Sequence, residues 1–125
     1  MHYKRTEYFR YTFGTPLEAK FQIAVAEGSG TKSGIGACSL IDISPSGAKL
    51  YTKFDIPFGQ DSAQIHLNFK LYETEINVEG KFVWKGQYRG AHLYGMSFEE
   101  DLIKEQLIVD ELKLLSRLEL EKKKK

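Results

Sequence analysis

The sequence predicts a mainly β protein, a small six-stranded antiparallel β-barrel followed by one long C-terminal α-helix. Three observations predict it. Apolar residues alternate with polar ones at period two in several stretches, as in strands with one buried face. Breaks containing Gly, Pro and Ser separate those stretches, and strands of this number and length favour closure because a barrel has no exposed sheet edge. At Glu99 the pattern gives way to a run rich in Leu, Glu and Lys that contains neither Gly nor Pro through Leu120.

Taken in order, residues 1–13 gather Tyr3, Lys4, Arg5, Tyr8, Phe9, Arg10, Tyr11 and Phe13 without a clear period. Such a segment either docks its rings as a short arm that leaves the guanidinium groups outward, or forms a first strand with solvated charges. From Pro16 to Ala26, Leu17, Ala19, Phe21, Ile23 and Val25 alternate with Glu18, Lys20, Gln22 and Ala24, which predicts a strand. Residues 27–36 read as a hairpin loop. Their Gly-Ser-Gly-Thr-Lys-Ser lacks the spacing of a phosphate-binding loop, because Thr31 separates Gly30 from Lys32.

Strands are expected next at 37–43 and 48–51, joined by a turn, and then at 63–69, with Ile65, Leu67 and Phe69 inward and His66 and Asn68 outward. Residues 73–84 form a further strand with Ile76, Val78, Phe82 and Trp84 as inward candidates and Gly80 as a possible bulge. Lys85 to Gly90 reads as a turn, and 91–98 closes the β region. The helix follows over 99–121, with Glu99, Glu100 and Asp101 in its first turn, where carboxylates favour the positive end of the dipole. At 100° per residue, Ile103, Leu107, Ile108, Leu112, Leu114, Leu115 and Leu118 share one half of the wheel. That stripe either folds back across the barrel mouth or meets a second copy of the chain; its width favours a homo-oligomer. Residues 122–125 are a basic tail.

The 125 residues suit one domain, with the barrel and its N-terminal arm at 1–98 and the helix belonging to it or serving as an oligomerisation element. A net charge of +1 removes any broad electrostatic case for DNA or RNA. Apolar runs are too short to span a membrane, and the first residues lack the apolar core of a signal peptide, so a cytoplasmic location is expected. Cys38 is the only cysteine and cannot form an intrachain disulfide. His2, His66 and His92 show no metal-ligand spacing, so no metal is expected, and no nucleophile and base recur at a spacing that would indicate an enzyme.

Chemistry concentrates in Leu40-Ile41-Asp42-Ile43-Ser44-Pro45-Ser46-Gly47-Ala48-Lys49-Leu50, where Asp-x-Ser-x-x-Gly interrupts two apolar runs. Gly47 can supply a positive φ, Pro45 fixes a backbone angle, and Asp42 and Ser44 can bond nearby amides or face a ligand. Taken alone, this is a turn between strands.

Together with a basic N-terminal segment ending in Arg10, the motif resembles that of the PilZ domain, the bacterial cyclic di-GMP receptor module. Tyr94-Gly95-Met96-Ser97-Phe98 followed by acidic residues is similar to the last PilZ strand leading into its helix. The family's first motif is Arg-x-x-x-Arg. Aligning its second Arg with Arg10 puts Thr6 at the first position, with Arg5 one residue early.

The resemblance implies cyclic di-GMP as ligand, commonly an intercalated dimer, and no cofactor. It implies that Arg10, supplemented by Arg5 and Lys4, clamps phosphate or guanine. Asp42 would accept from guanine or orient an arginine, Ser44 would hydrogen-bond, and Gly47 would admit close backbone approach. It equally allows a second reading, a ligand-free interaction or oligomerisation module, because relatives with degraded arginine motifs bind partners.

Overall fold

The computed structural model describes residues 10–24, 35–56 and 64–123. Six strands, β1 (Tyr11–Ala24), β2 (Gly36–Ser44), β3 (Gly47–Thr52), β4 (Gln64–Lys70), β5 (Glu75–Tyr88) and β6 (Ala91–Phe98), precede the helix α1 (Leu102–Lys123). Every pairing is antiparallel, and β1 bonds to both β2 and β4, which closes the order β1-β2-β3-β6-β5-β4 into a barrel. Most of the hairpin loop expected at 27–36, the end of the first expected strand at 25 and 26, residues 57–63, and residues 124 and 125 of the tail lie outside the described residues.

Alternation puts Phe21, Leu40, Ile43, Leu50, Ile65, Leu67, Phe69, Ile76, Val78 and Phe82 in the barrel core, with Tyr94, Met96 and Phe98 from β6. The Tyr94 ring stacks on Phe82 with centroids 4.4 Å apart, and its hydroxyl accepts from the Ile56 N–H at 2.7 Å, so a polar tip is satisfied inside an apolar core. Cys38 is buried among these side chains, and burial pushes its thiol up to about 12.

Several boundaries differ from the sequence expectation. β1 begins at Tyr11 rather than Pro16, so Tyr11–Phe13 belong to a strand, with a register shift between Thr12 and Leu17 that takes up the intervening residues. β5 runs on to Tyr88. The expected six-residue turn is only the Arg89–Gly90 pair, whose φ values of 47° and 83° make the left-handed turn that matches strand twist.

The bulge in β5 is at Val83, between Phe82 and Trp84, and not at Gly80. Gly80 is required for a different reason, since a Cβ there would sit 2.0 Å from the Ser97 carbonyl oxygen. The extra residue at Val83 reverses the alternation, so Trp84 faces outward at 41% exposure instead of entering the core.

The helix starts three residues later than expected and extends through Lys123, so Lys122 and Lys123 are helical rather than tail. Glu99, Glu100 and Asp101 precede it. Asp101 caps it, its Oδ1 accepting from the N–H groups of Ile103 at 3.1 Å and Lys104 at 3.2 Å. Of the apolar stripe, Ile108 and Leu112 are fully buried, Leu107 packs against the core, and Leu114, Leu115 and Leu118 are partly buried. Ile103, the second residue of the helix, is 82% exposed and stands outside the packed face.

A buried carboxylate fixes the helix to the barrel. Glu111 is 3% exposed, and its Oε1 accepts from the backbone N–H groups of Tyr72, Glu73 and Thr74 at 2.9, 2.9 and 3.1 Å. Burial acts to raise this carboxyl's pKa, but the three N–H donors outweigh it and hold it below the ordinary carboxylate value. Its contribution is therefore full above the ordinary carboxylate pKa and lost as pH falls through the lowered folded value. Urea unfolding at neutral pH should show Glu111→Ala losing about 2–3 kcal/mol, because three turn amides are left without their acceptor. The gap between wild type and Glu111→Gln should narrow as the pH is brought into the acid range.

Candidate functional site

Asp42 owes its position to a second bulge. In β2 the register shifts between Leu40, which pairs with Leu50, and Asp42, which pairs with Lys49, leaving Ile41 as the extra residue. Leu40 and Ile43 both point into the core with no exposed surface, and Asp42 is turned to the outer face.

The ladder then defines one row across the outside of the barrel. Thr12 of β1 pairs with Asp42 of β2, Asp42 with Lys49 of β3, Lys49 with Gly95 of β6, and Gly95 with Trp84 of β5. Arg10, just before β1, reaches the same row. Its Nη1 donates to Asp42 Oδ1 at 2.5 Å, and Lys49 Nζ lies 3.7 Å from Asp42 Oδ2. Asp42 is only 5% exposed, so its charge is spent on orienting these two cations more than on meeting solvent.

Gly95 leaves the middle of the row open, and the Trp84 indole lies over it. A Cβ at position 95 would fall 2.1 Å from Trp84 Nε1. The resulting groove, about 450 Å³, is lined by Arg10, Asp42, Lys49, Trp84, Gly95 and Met96, among others, and falls in the size range of small-molecule sites. Guanidinium and ammonium groups at one end and an indole face at the other suit a ligand that is both anionic and planar.

The structure distributes the motif residues unevenly. Arg10 and Asp42 meet in the groove, and Gly47 lines it. Gly47 is needed because a Cβ would sit 2.6 Å from the Met96 carbonyl oxygen; among the described residues the positive φ values belong to Arg89 and Gly90, so the turn does not use Gly47 in the expected way.

Ser44 is fully buried. Its Oγ donates to the Gly47 carbonyl and accepts from the Ser46 N–H, both at 3.4 Å, which closes the turn from inside. Lys4, Arg5 and Thr6 lie outside the described residues. Trp84 and Lys49 are the groove residues that sequence reasoning missed. Lys49 was legible in principle, since a tight hairpin at Ser44–Gly47 sets residues 42 and 49 nearly opposite; Trp84 was hidden by the bulge.

Two other depressions contain none of Arg10, Asp42 and Gly47. One of about 240 Å³ beside the start of α1 is walled by Glu79, Glu99, Glu100, Asp101 and Glu105, which would repel an anion. A wider one of about 850 Å³, lined from β1, β2, β3, β4 and the turn into β6, carries Lys20, Lys53, Lys70 and Arg89 beside Tyr51 and Phe54 but no motif residue. Among the described residues no three His, Cys, Asp or Glu side chains cluster as a metal site would require, and no helix is long and apolar enough to cross a membrane.

The molecule is thus a closed six-stranded barrel with one packed helix and a cationic and aromatic groove beside a β-turn motif. The family model of the PilZ domain matches residues 4–115, and the chain belongs to that family. No curated protein matches it significantly.

Trp84 is the only tryptophan, so its fluorescence reports on the groove alone. Gly95→Ala should displace the indole, shifting its emission and raising its quenching by acrylamide, with the far-UV circular dichroism of the barrel unchanged. An unaltered emission spectrum would contradict the packing of Trp84 over Gly95.

Proposed function

We propose that this PilZ domain is a cyclic di-GMP receptor that converts nucleotide binding into altered protein interaction, and that it is not an enzyme. The observation that carries the reading is the convergence of Arg10 on Asp42, the meeting of the family's two motifs in one groove. Asp42 holds the Arg10 fork, which then donates to a phosphate or to guanine O6 and N7. Trp84 offers a face for base stacking, and Gly47 keeps the backbone of the turn close to β6 so that the floor of the groove stays low. Arg5 and Lys4 would add positive charge from the N-terminal segment.

Calorimetric titration with cyclic di-GMP, read in parallel by Trp84 emission, tests this. Arg10→Ala should weaken binding by roughly five- to 150-fold, the value of one bidentate arginine contact. Asp42→Ala should weaken it as well, by releasing Arg10 from its orientation. Absence of heat and of any fluorescence change with the wild-type protein at tens of micromolar nucleotide would overturn the receptor reading.

A second reading is favoured by the helix. Ile103 is 82% exposed, and Leu114 and Leu118 on the same flank are only partly buried, a cost in water that a second copy of the chain could remove. We propose self-association along the flank of α1 that bears Ile103, Leu107, Leu114 and Leu118, beside the face on which Ile108, Leu112 and Leu115 pack. It would serve either as the output of the receptor or as the whole role of a domain that does not bind nucleotide. Light scattering should then give a mass above that of one chain, and Ile103→Lys should lower it. A wild-type mass equal to one chain at every concentration would exclude the oligomer.

A further inference from the structure

We infer that Lys49 supplies the second cation for a ligand phosphate, taking the part that the family's first arginine would play where this chain has Thr6. The inference rests on the receptor reading above and adds a residue to it. Lys49 stands directly opposite Asp42 in the β2–β3 ladder, and the bulge at Ile41 turns both side chains to the outer face. Arg10 engages Oδ1 of the carboxylate and Lys49 approaches Oδ2, so Asp42 is flanked by a cation on each side.

One carboxylate between two cations leaves a net positive charge, the complement of a single phosphodiester. At 3.7 Å the Lys49 ammonium is attracted to Asp42 without being held in a close hydrogen bond, and its side chain is 41% exposed. The flexible stem can therefore carry the head to a phosphate oxygen while the Asp42 field keeps it near. Lys49 is also next but one to Trp84 along the row, two strand spacings or roughly 10 Å away across Gly95. A nucleotide with its base on the indole has its phosphate directed along the row toward Lys49 and Arg10. Neither motif of the family includes this position, and Thr6 contributes no charge to the site.

Wild type, Lys49→Ala, Lys49→Arg and Lys49→Gln are to be titrated with cyclic di-GMP by calorimetry and Trp84 emission at low and moderate salt, with thermal unfolding measured on each. Lys49→Ala and Lys49→Gln should bind roughly ten- to 100-fold more weakly, with unfolding temperatures close to wild type. Lys49→Arg should stay within a few-fold of wild type. The dependence of affinity on salt should flatten in the two neutral variants, an effect that a merely structural lysine would not produce. If wild type binds and Lys49→Ala binds equally well, the inference falls and the receptor reading stands. If wild type does not bind, the receptor reading falls and takes this inference with it.

Discussion

A side chain on a strand of a closed barrel has two directions available, toward the core or toward solvent, and successive residues must take them in turn. That constraint governs this molecule. It packs Leu40, Leu50, Leu67, Phe82 and Tyr94 into one apolar interior, and would by itself send Asp42 and Trp84 there too, since each stands two residues beyond a core side chain. The extra residues at Ile41 and Val83 release them. Each bulge gives up local ladder regularity and in return puts a polar or aromatic group on the outer face next to Lys49 and Gly95. The core and the groove are thus two outcomes of the same alternation, separated by a change of phase.

Most of the barrel was legible because alternation is a strong signal wherever it is unbroken. Ile65, Leu67 and Phe69 in β4 and Ile76, Val78 and Phe82 in β5 were assigned inward and lie inward. Reading failed where a single residue interrupts the count, and so Trp84 was put inside and the bulge was put at Gly80, whose small size answers to the Ser97 backbone. The length of β5 and the start of α1 were misplaced for another reason. Lys85 to Tyr88 and Glu99 to Asp101 are polar stretches whose state is decided by pairing partners and by a cap, neither of which a local pattern displays.

The site was only half legible. Nothing near Arg10 indicates Asp42, which lies 32 residues away; the family pattern connected them, and the ion pair supplies the physical link. The turn motif itself divides by function once seen in three dimensions. Asp42 faces the groove, Ser44 ties the turn together from inside, and Gly47 admits the β6 backbone. Glu111 was invisible to periodicity, since a charged residue on the helix gives no hint that three amides from the β4–β5 turn converge on it. The Tyr11 hydroxyl bonds Glu119 near the other end of the helix; burial first, and then the neighbouring carboxylate, push that phenol up to about 12. The residue after Arg10 is therefore anchored to the helix, so the edge of the groove and the packing of α1 share one short length of chain.

A bulge is defined by chain length and not by residue type. Straightening either bulge with Ile41 or Val83 kept in the ladder would restore regular alternation and leave the barrel's strands in the same order, yet it would turn Asp42 or Trp84 toward the lumen and erase the groove. A descendant chain could keep every residue of the Asp-x-Ser-x-x-Gly motif and still lose the site by pairing β2 or β5 in the other phase.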